Sequence, residues 1–474
     1  MSPPVQIVDP QWGIFDPMVV DNSTKSYTFT SQKPTSNPQN TLWGAQSTHE
    51  WVVSDSSYVN LSKSYIQVAL QVQDATALAP YATGALVALC ADASALLYTR
   101  LELIIGSGTI ESTQSSLQRT AFIKDLMTVD GSTISSYRGS NLTDEFFILD
   151  DQGAQNNFAA GNAGFAYRQL LTDNGKFAMI KIPLSKLSGF CSVDRCLTNV
   201  PITLRLYTDK SLLPVNHAVS TGGVAINDAQ LQIQSVDLMI AKLKPSLDVQ
   251  STISAQLAAN TSQQISYQFW DTYTSNISAN SSSFNTVVCS PSEKVDFVVQ
   301  SFVPTAYLKT QTSNGLASSW FPNLLNVVAG NSSRFITQAY LLLGSVQVPM
   351  QQYFQVPSDN VKCFATYQDV AGRMRTTGVN GTTVLNYNDF FGPCSTIAAT
   401  VSPNNTQYLN GGLAVLIYDC RHLDMENISG AKTLIPNIQF SAPLTADWTV
   451  YTTIVTERQL IISAQDRSTV VTKK

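Results

Sequence analysis

Three histidines are the side chains of this sequence best suited to acid–base or metal chemistry, and they lie far apart in the chain. They are His49, His217 and His422. None stands in a motif with a serine or cysteine that it could activate as a nucleophile. His422 precedes Asp424 and Glu426, and residues two apart on a strand share a face, so a metal site can be drawn there. We favour a polar loop instead, because a strand is predicted to end just before it.

A few further groups have residue types that occur in active sites: Cys191, the turn Gly106-Ser107-Gly108, and the acidic pairs Asp144-Glu145 and Asp150-Asp151. The glycine turn lacks the lysine and the second glycine pair of a phosphate-binding loop. We interpret the thiol as a packed side chain. The carboxylates could bind a hard cation, but solvated loop residues are the simpler interpretation. The sequence therefore predicts no catalytic, cofactor-binding or metal-binding residues, and no enzyme.

The cysteines do not form a recognisable framework. The chain has seven of them, an odd number, and no pair is separated by two residues as zinc ligands usually are. The first residues have neither a basic segment nor an apolar segment, so no secretory signal is expected. We therefore expect reduced, mostly buried thiols and folding in the cytosol or nucleus. No run of 18 apolar residues occurs, so no membrane-spanning helix is expected.

The composition favours a protein that packs against other proteins. Charged residues make up 13% of the 474 residues, about half of the ~25% that is usual for a soluble protein. Burying a charge costs desolvation, so a weakly charged surface suits assembly with copies of itself. The net charge of −5 argues against direct binding to a phosphate backbone, and no sequence-specific contact to nucleic acid is expected.

The chain has two halves with similar patterns. An apolar run at 101–105 is interrupted by Gly106 and resumes at 109–110, and the run at 340–343 is interrupted by Gly344 and resumes at 346–348. The two glycines are 238 residues apart, about half of the chain. A second pair of runs, 202–209 and 413–419, follows in the same order. These patterns predict a duplicated β-sandwich or β-barrel.

The local patterns predict mostly strands. Ile66, Val68, Leu70 and Val72 alternate with polar or small residues, which is typical of a strand with one buried face. A strand over 226–241 changes phase once, as a β-bulge would make it do. Residues 115–127 predict a short helix, with Ser115 or Ser116 as its cap. Residues 1–50 are rich in proline and polar residues and predict an extended arm with little regular structure. Long polar loops are expected at 128–164, 310–335 and 372–395.

The order of these segments resembles that of the double jelly-roll major capsid proteins of eukaryotic double-stranded DNA viruses, in the branch of polinton-like viruses, adintoviruses and virophages. The stretches that carry the resemblance are 97–112 with the helix that follows, 182–190 leading into 202–206, 229–233 with the strand that ends at Lys244-Pro245, and 293–300. Each stretch is degenerate, and the specificity lies in their order over roughly 60–460.

The resemblance implies an all-β chain of two consecutive eight-stranded jelly rolls with short helices in the loops. The expected division is an arm at 1–50, a first jelly roll at 51–245, a linker with a short helical connector at 246–262, a second jelly roll at 263–465 and a tail at 466–474. It also implies a homotrimer that forms a pseudo-hexameric capsomer of an icosahedral shell around a double-stranded DNA genome. Neighbouring capsomers, penton proteins and minor capsid proteins are the expected partners. The expected location is the virion, with assembly in the host cytoplasm or nucleus.

One function of another class stays open. A non-enzymatic β-sandwich binding module, such as an adhesin, a vertex protein or a carbohydrate-binding protein, would also be an all-β chain. Such a module is typically secreted, is crosslinked by disulfides, or has aromatic residues clustered in a groove. The six tryptophans of this chain are scattered along it, and neither a signal nor a cysteine framework is recognisable. The capsid subunit is therefore the function that we predict.

Overall fold

A computed structural model describes most of the chain, and all structural statements below refer to that part. The described residues are 23–54, 57–74, 77–89, 93–113, 116–128, 163–209, 213, 215–217, 220–221, 224–225, 229–305, 336–349, 360–374, 415–423, 432–463 and 468–473. Most of the three long loops that the sequence predicts, and the first 22 residues of the predicted arm, lie outside these ranges.

Strands dominate the described residues. Those of the first half are β1 (Thr24–Gln32), β2 (Thr48–Val53), β3 (Tyr58–Asp74), β4 (Val87–Leu89), β5 (Arg100–Ile105), β6 (Gly108–Ser112), β7 (Ala178–Pro183), β8 (Cys196–Thr198), β9 (Ile202–Tyr207), β10 (Val215–His217), β11 (Ser220–Thr221), β12 (Val224–Ala225) and β13 (Ala229–Pro245). Those of the second half are β14 (Gln263–Ile277), β15 (Ser283–Asn285), β16 (Val295–Pro304), β17 (Ile336–Leu343), β18 (Val346–Val348), β19 (Leu416–Asp419), β20 (Leu434–Phe440), β21 (Trp448–Ile462) and β22 (Thr469–Lys473).

The helices lie between the strands. They are α1 (Ala93–Leu96), α2 (Leu117–Thr128), α3 (Ala163–Thr172), α4 (Leu184–Leu187), α5 (Leu247–Ala258) and α6 (Asn360–Met374), with 3-10 turns at Asp173–Gly175 and Phe190–Ser192. Among the helices of the described ranges, none is long and apolar enough to cross a membrane.

Each half of the chain forms two antiparallel four-stranded sheets with the same topology. In the first half the strand orders are β1-β13-β3-β7, with β8 added to β3, and β2-β9-β5-β6. In the second half they are β14-β21-β16-β19, with β22 added to β21, and β15-β20-β17-β18. Position by position the two halves correspond, and two such sheets of four strands make a jelly roll. The prediction of an all-β chain with two eight-stranded jelly rolls is confirmed.

Alternating side chains build the interior of each jelly roll. On β5, Leu101, Leu103 and Ile105 are buried while the residues between them are only partly buried, and β9 alternates in the same way. This alternation turns one face of each sheet toward the other sheet. The predicted phase change near residue 234 is also present, since the pairing of β13 with β3 shifts register between Ile233 and Ser235. The buried apolar side chains of both jelly rolls form one continuous core.

The first of the two predicted repeats is correct and the second is wrong. β5 and β6 form a hairpin that turns at Gly106, and β17 and β18 form the equivalent hairpin that turns at Gly344. Both glycines have a positive φ, 61° and 60°, which other residues adopt only with strain. The sequence pattern also predicts that the run 202–209 is equivalent to the run 413–419. The topology places β9 opposite β20 and places β19 opposite β7. Similar apolar runs can occupy different strands, so pattern alone did not identify the partner.

The predicted arm contains more regular structure than its composition indicates. β1 pairs with β13 along its length, so it belongs to the first jelly roll, and β2 starts inside the range 1–50. Proline is absent from Thr24–Gln32 itself, and Tyr27 and Phe29 give it strand character. The prolines of residues 1–50 lie on either side of β1, so the composition of the whole segment did not indicate the strand.

The segment 246–262, which was predicted as the linker, contains α5. Ser246 caps this helix by accepting a hydrogen bond from the backbone N–H of Val249 at 3.5 Å. None of the side chains of α5 is buried. At the other end, β22 lies within the predicted tail 466–474 and pairs with β21. The exact domain boundaries stay a prediction.

Candidate functional site at the junction of the two jelly rolls

The sequence candidates for chemistry do not come together in the structure. His49 is fully buried on β2, where its Nδ1 lies 3.2 Å from the hydroxyl of Tyr98 and its ring packs edge-on against Trp43 and Trp51. Burial lowers the pKa of His49 to about 4, so the ring is neutral at pH 7. His217 lies on β10, and His422 lies in an exposed turn after β19. His49 is therefore a packed core residue.

The remaining candidates are structural or lie outside the described ranges. Burial raises the pKa of the Cys191 thiol to about 12, so it is protonated and unsuited to nucleophilic attack. The turn Gly106-Ser107-Gly108 joins β5 to β6. The two acidic pairs of the first long loop, together with Asp424 and Glu426, are outside the described residues. Within the ranges the structure describes, no group of three or more potential metal ligands occurs.

The buried polar groups of the described part concentrate instead where the two jelly rolls meet. Helix α2, which belongs to the first jelly roll, packs against α1, α4 and β5 on one side and against β14, β21 and α6 of the second jelly roll on the other. All of its side chains from Leu117 to Met127 are buried, including a glutamine, an arginine, a lysine and an aspartate. A helix that buries every side needs a partner for each polar group.

A buried lysine binds the turn that follows α4. Lys124 donates from its Nζ to the carbonyl oxygens of Ser185 and Ser188 and to the hydroxyl of Ser192, at 2.6, 2.7 and 2.8 Å. Burial lowers the pKa of Lys124 to about 8, and the nearby charge of Glu111 opposes that shift. The three donors of the ammonium group are thus all used, and the turn is held in one position.

An ion pair lies next to this lysine. The Nζ of Lys186 is 2.6 Å from a carboxylate oxygen of Asp125, and both side chains are 5% exposed. Lys186 also donates to the hydroxyl of Ser94 at 2.7 Å. A buried pair of this kind costs desolvation to form, but the loss of one partner is strongly destabilising. It therefore fixes the arrangement of α2 relative to α4 and α1.

The two jelly rolls approach each other closely at Gly189. A Cβ placed on this residue would lie 1.8 Å from the backbone oxygen of Gln268 on β14 and 3.2 Å from the ring of Trp270. Next to it, the ring of Phe190 packs edge-on against Tyr267, whose hydroxyl donates to the carbonyl of Ile110 at 2.9 Å. The backbone φ of Gly189 is −69°, so the need for glycine here comes from space and not from conformation.

A buried carboxylate also binds the turn that contains Gly189 and Phe190. Glu111 accepts a hydrogen bond from the backbone N–H of Phe190 at 2.8 Å. Burial raises the pKa of Glu111, while a hydrogen bond from Ser188 and the charge of Lys124 oppose the shift. Glu111 and Lys124 thus contact the same turn from two elements of the first jelly roll.

Hydroxyl groups connect α2 directly to the second jelly roll. The hydroxyls of Thr120, Thr272 and Thr453 form a chain with spacings of 2.7 and 2.8 Å. Ser116 was predicted as a possible cap of α2, but its hydroxyl instead donates to the carbonyl of Thr272 at 2.7 Å. The guanidinium of Arg119 lies 4.8 Å from the ring centre of Tyr451 on β21. These contacts need close packing of the helix on the sheet.

Two further contacts join the halves at the edges of the junction. The hydroxyl of Tyr367 on α6 donates to the carbonyl of Leu126 on α2 at 2.8 Å. The hydroxyl of Thr469 on β22 donates to the carbonyl of Ile105 at 2.8 Å, beside Gly108. Residues of four separate segments of the second jelly roll thus contact the first one. The polar groups of the junction are used in packing the two jelly rolls together.

The junction is not predictable from local sequence patterns. Its contacts join residues far apart in the chain, such as Lys124 with Ser185, 61 positions apart, and Ile105 with Thr469, 364 positions apart. The one available signal was the polar content of α2. A predicted helix with polar residues on every side is either solvated or enclosed between two surfaces, and the sequence alone does not choose between these.

Comparisons with known proteins give a match in structure alone. No family model matches the chain, and no curated protein matches its sequence. The mavirus major capsid protein superposes with a TM-score of 0.55 at 8% identity, over 94% of this chain and 90% of that protein. A chain of the Sputnik virophage, solved by cryo-EM, gives 0.57 at 11% identity, over 98% and 92%. A chain of the PBCV-1 virus capsid gives 0.52 at 10% identity, over 97% and 100%.

These matches cover both jelly rolls and the junction between them, because each spans more than nine tenths of this chain. The TM-scores show a shared fold, whereas identities of 8 to 11% are too low to show a relationship between the sequences. The resemblance predicted from the order of the segments is thereby confirmed at the level of the fold. The chain has the double jelly-roll fold of the major capsid proteins of virophages and large DNA viruses.

Proposed function

We propose that this chain is a major capsid protein. The observation that carries the proposal is the junction: two jelly rolls of equal topology are joined through a helix whose side chains from Leu117 to Met127 are all buried. A block that only needs to hold its shape and expose its outer faces suits a shell. The chain is not an enzyme in this proposal.

The proposed assembly is a homotrimer that forms a pseudo-hexameric capsomer. Three copies contribute six jelly rolls, and a closed symmetric ring leaves no open end from which fibres could grow. Such capsomers tile an icosahedral shell around a double-stranded DNA genome, with neighbouring capsomers, penton proteins and minor capsid proteins as partners. The site of action is the virion, after assembly in the host cytoplasm or nucleus. The structural matches to capsid proteins support this assembly by analogy of fold.

The mass of the purified chain tests the proposal. Light scattering on size-exclusion chromatography should give about three times 51.5 kDa, and negative-stain images of the same fractions should show triangular to hexagonal blocks or closed shells. A stable monomer that never assembles would refute the capsid proposal and favour the binding module, for which a glycan screen is the next experiment. Deletion of residues 1–20 should impair assembly more than folding, and normal shells from that variant would contradict the proposed role of the arm.

A further inference from the structure

The two equivalent sheets β1-β13-β3-β7 and β14-β21-β16-β19 differ in what covers them. The second sheet is covered by α2, which contacts β14 and β21 through Thr120 and Arg119. As a result β14 is buried over much of its length. β1 has the same position in the first sheet, but nearly every residue of it is exposed. Among the described residues a helix covers β14 of the second sheet, and none covers β1 of the first.

Large apolar side chains lie exposed on the strands β1 and β7 of the first sheet and directly before β7. Tyr27, Phe29, Phe177 and Met179 are 44, 43, 39 and 51% exposed. The ring of Phe29 packs edge-on against Tyr27 at 5.1 Å and against Tyr65 at 5.4 Å. We call these five residues and Lys181, whose Nζ lies 4.5 Å from the ring centre of Tyr65, the aromatic patch. Aromatic residues and methionine are enriched at the centres of protein interfaces.

The second jelly roll has a helix equivalent to α2, and among the described residues its main contacts are with α2 and with β19 of its own jelly roll. α2 follows the hairpin β5-β6, and α6 follows the equivalent hairpin β17-β18. One side of α6 packs on α2 and β19, where Tyr367, Val370 and Ala371 are buried. Its other side exposes Ala365, Gln368, Asp369, Gly372 and Arg373. We call these five residues the open stripe of α6, since their spacing places them along one face of a helix.

We propose that the open stripe of α6 in one copy packs on the aromatic patch of the next copy. This contact repeats between chains the contact that α2 makes with β14 and β21 within the chain. The occupant is a second copy because the described part of the chain contains both halves of the contact: one face of α6 that no sheet covers, and the strand β1 that no helix covers. The short side chains Ala365 and Gly372, with open space around Gly372, admit bulky rings, and the guanidinium of Arg373, which pairs with Asp369, can lie over an aromatic face.

The contact is of the head-to-tail type, since different surfaces of the two copies meet. Such a contact produces a ring if the rotation closes, and three copies close a ring of six jelly rolls in which every neighbouring pair meets through an equivalent helix and sheet. The inference therefore rests on the proposed trimer and identifies the surfaces that form it. A patch-to-patch contact, by contrast, would stop at two copies.

Crosslinking through introduced cysteines tests the pairing. The double variant Phe29→Cys with Gln368→Cys, treated with a short bis-maleimide, should give a three-chain product on a denaturing gel, at least tenfold more than the wild type with its native cysteines. The matched control replaces Phe29→Cys by Val52→Cys. Val52 is also 43% exposed and belongs to the same jelly roll, but it lies on the other sheet. This control should stay at the wild-type level.

The outcomes separate the inference from the proposed function. A three-chain mass without a specific crosslink would keep the capsomer and overturn this pairing of surfaces. A two-chain product from Phe29→Cys alone would show patch-to-patch contact and also overturn it. A chain that remains monomeric at all concentrations would overturn both. As a second readout, Phe29→Glu should raise the concentration for half-assembly at least tenfold, while Val52→Glu should leave it unchanged. Equal effects of the two variants would contradict the pairing.

Discussion

The close approach of Gly189 to β14 gives the sharpest test of the junction. In Gly189→Ala the new Cβ would lie 1.8 Å from the carbonyl oxygen of Gln268. A carbon and an oxygen that are not bonded need roughly 3.3 Å, so the two backbones must separate by about 1.5 Å. Gln268 cannot yield alone, because β14 is paired with β21 over its whole length. The separation must therefore open the packing between the jelly rolls.

Overpacking of a tight interior costs ~1–3 kcal/mol, and more where backbone opposes backbone. We expect Gly189→Ala to lower the free energy of unfolding by about 3 kcal/mol, or the Tm by roughly 6–12 °C at ~2–4 °C per kcal/mol. Alanine is compatible with the helical φ and ψ of this residue, so no backbone strain contributes. Differential scanning calorimetry and denaturant titration of the purified chain measure the change.

Gly372→Ala is the matched control, since a Cβ there meets nothing within 4 Å. Gly372 lies inside α6, where alanine should stabilise the chain by ~0.5–1 kcal/mol. The two substitutions are chemically identical and should have opposite signs. If Gly189→Ala changed the free energy of unfolding by less than about 0.5 kcal/mol, the description of the junction as a tight contact would be wrong.

Other predictions concern buried charges, each measured by denaturant titration. Asp125→Asn removes the carboxylate that faces Lys186 at 2.6 Å and should cost roughly 3–5 kcal/mol, whereas no loss would contradict a buried pair. His49, with its pKa lowered to about 4, makes the folded state bind fewer protons than the unfolded state, so its contribution to stability should fall by about 3 kcal/mol from pH 6.5 to 4, measured as the difference in free energy of unfolding between the wild type and His49→Phe. Burial raises the pKa of Asp296 to about 6, so its contribution has the opposite sign: it is present near pH 4, is lost by pH 6, and disappears in Asp296→Asn. A variant with an unchanged pH slope would refute the corresponding assignment.

Local patterns predicted the parts of the fold that are locally determined. The alternation on β3 placed Ile66, Val68 and Leu70 in the core, where all three are fully buried. Gly106 and Gly344 marked two hairpins, since a positive φ at a tight turn is a local requirement. The order of such segments was enough to identify the fold, because topology constrains which runs can follow each other.

Pairing between distant segments was not predictable in the same way. β1 has few apolar residues, and its identity as a strand depends on β13, which follows it by about 200 residues. The match of 202–209 with 413–419 failed for a related reason, because an apolar run does not specify its partner strand. The junction was missed since Glu111, Lys124 and Gly189 acquire their roles only after both jelly rolls are folded.

The position of β14 has a consequence for synthesis of the chain on the ribosome. In the described residues β14 pairs with β21 alone, so translation must continue from Gln263 to Ile462 before β14 has its neighbour. At ~5–20 residues per second this interval lasts about 10–40 s. During this interval the nascent chain contains α2 but not Tyr451 of β21, which Arg119 contacts in the finished structure. The sheet that α2 covers can therefore be completed only after β21 has been translated.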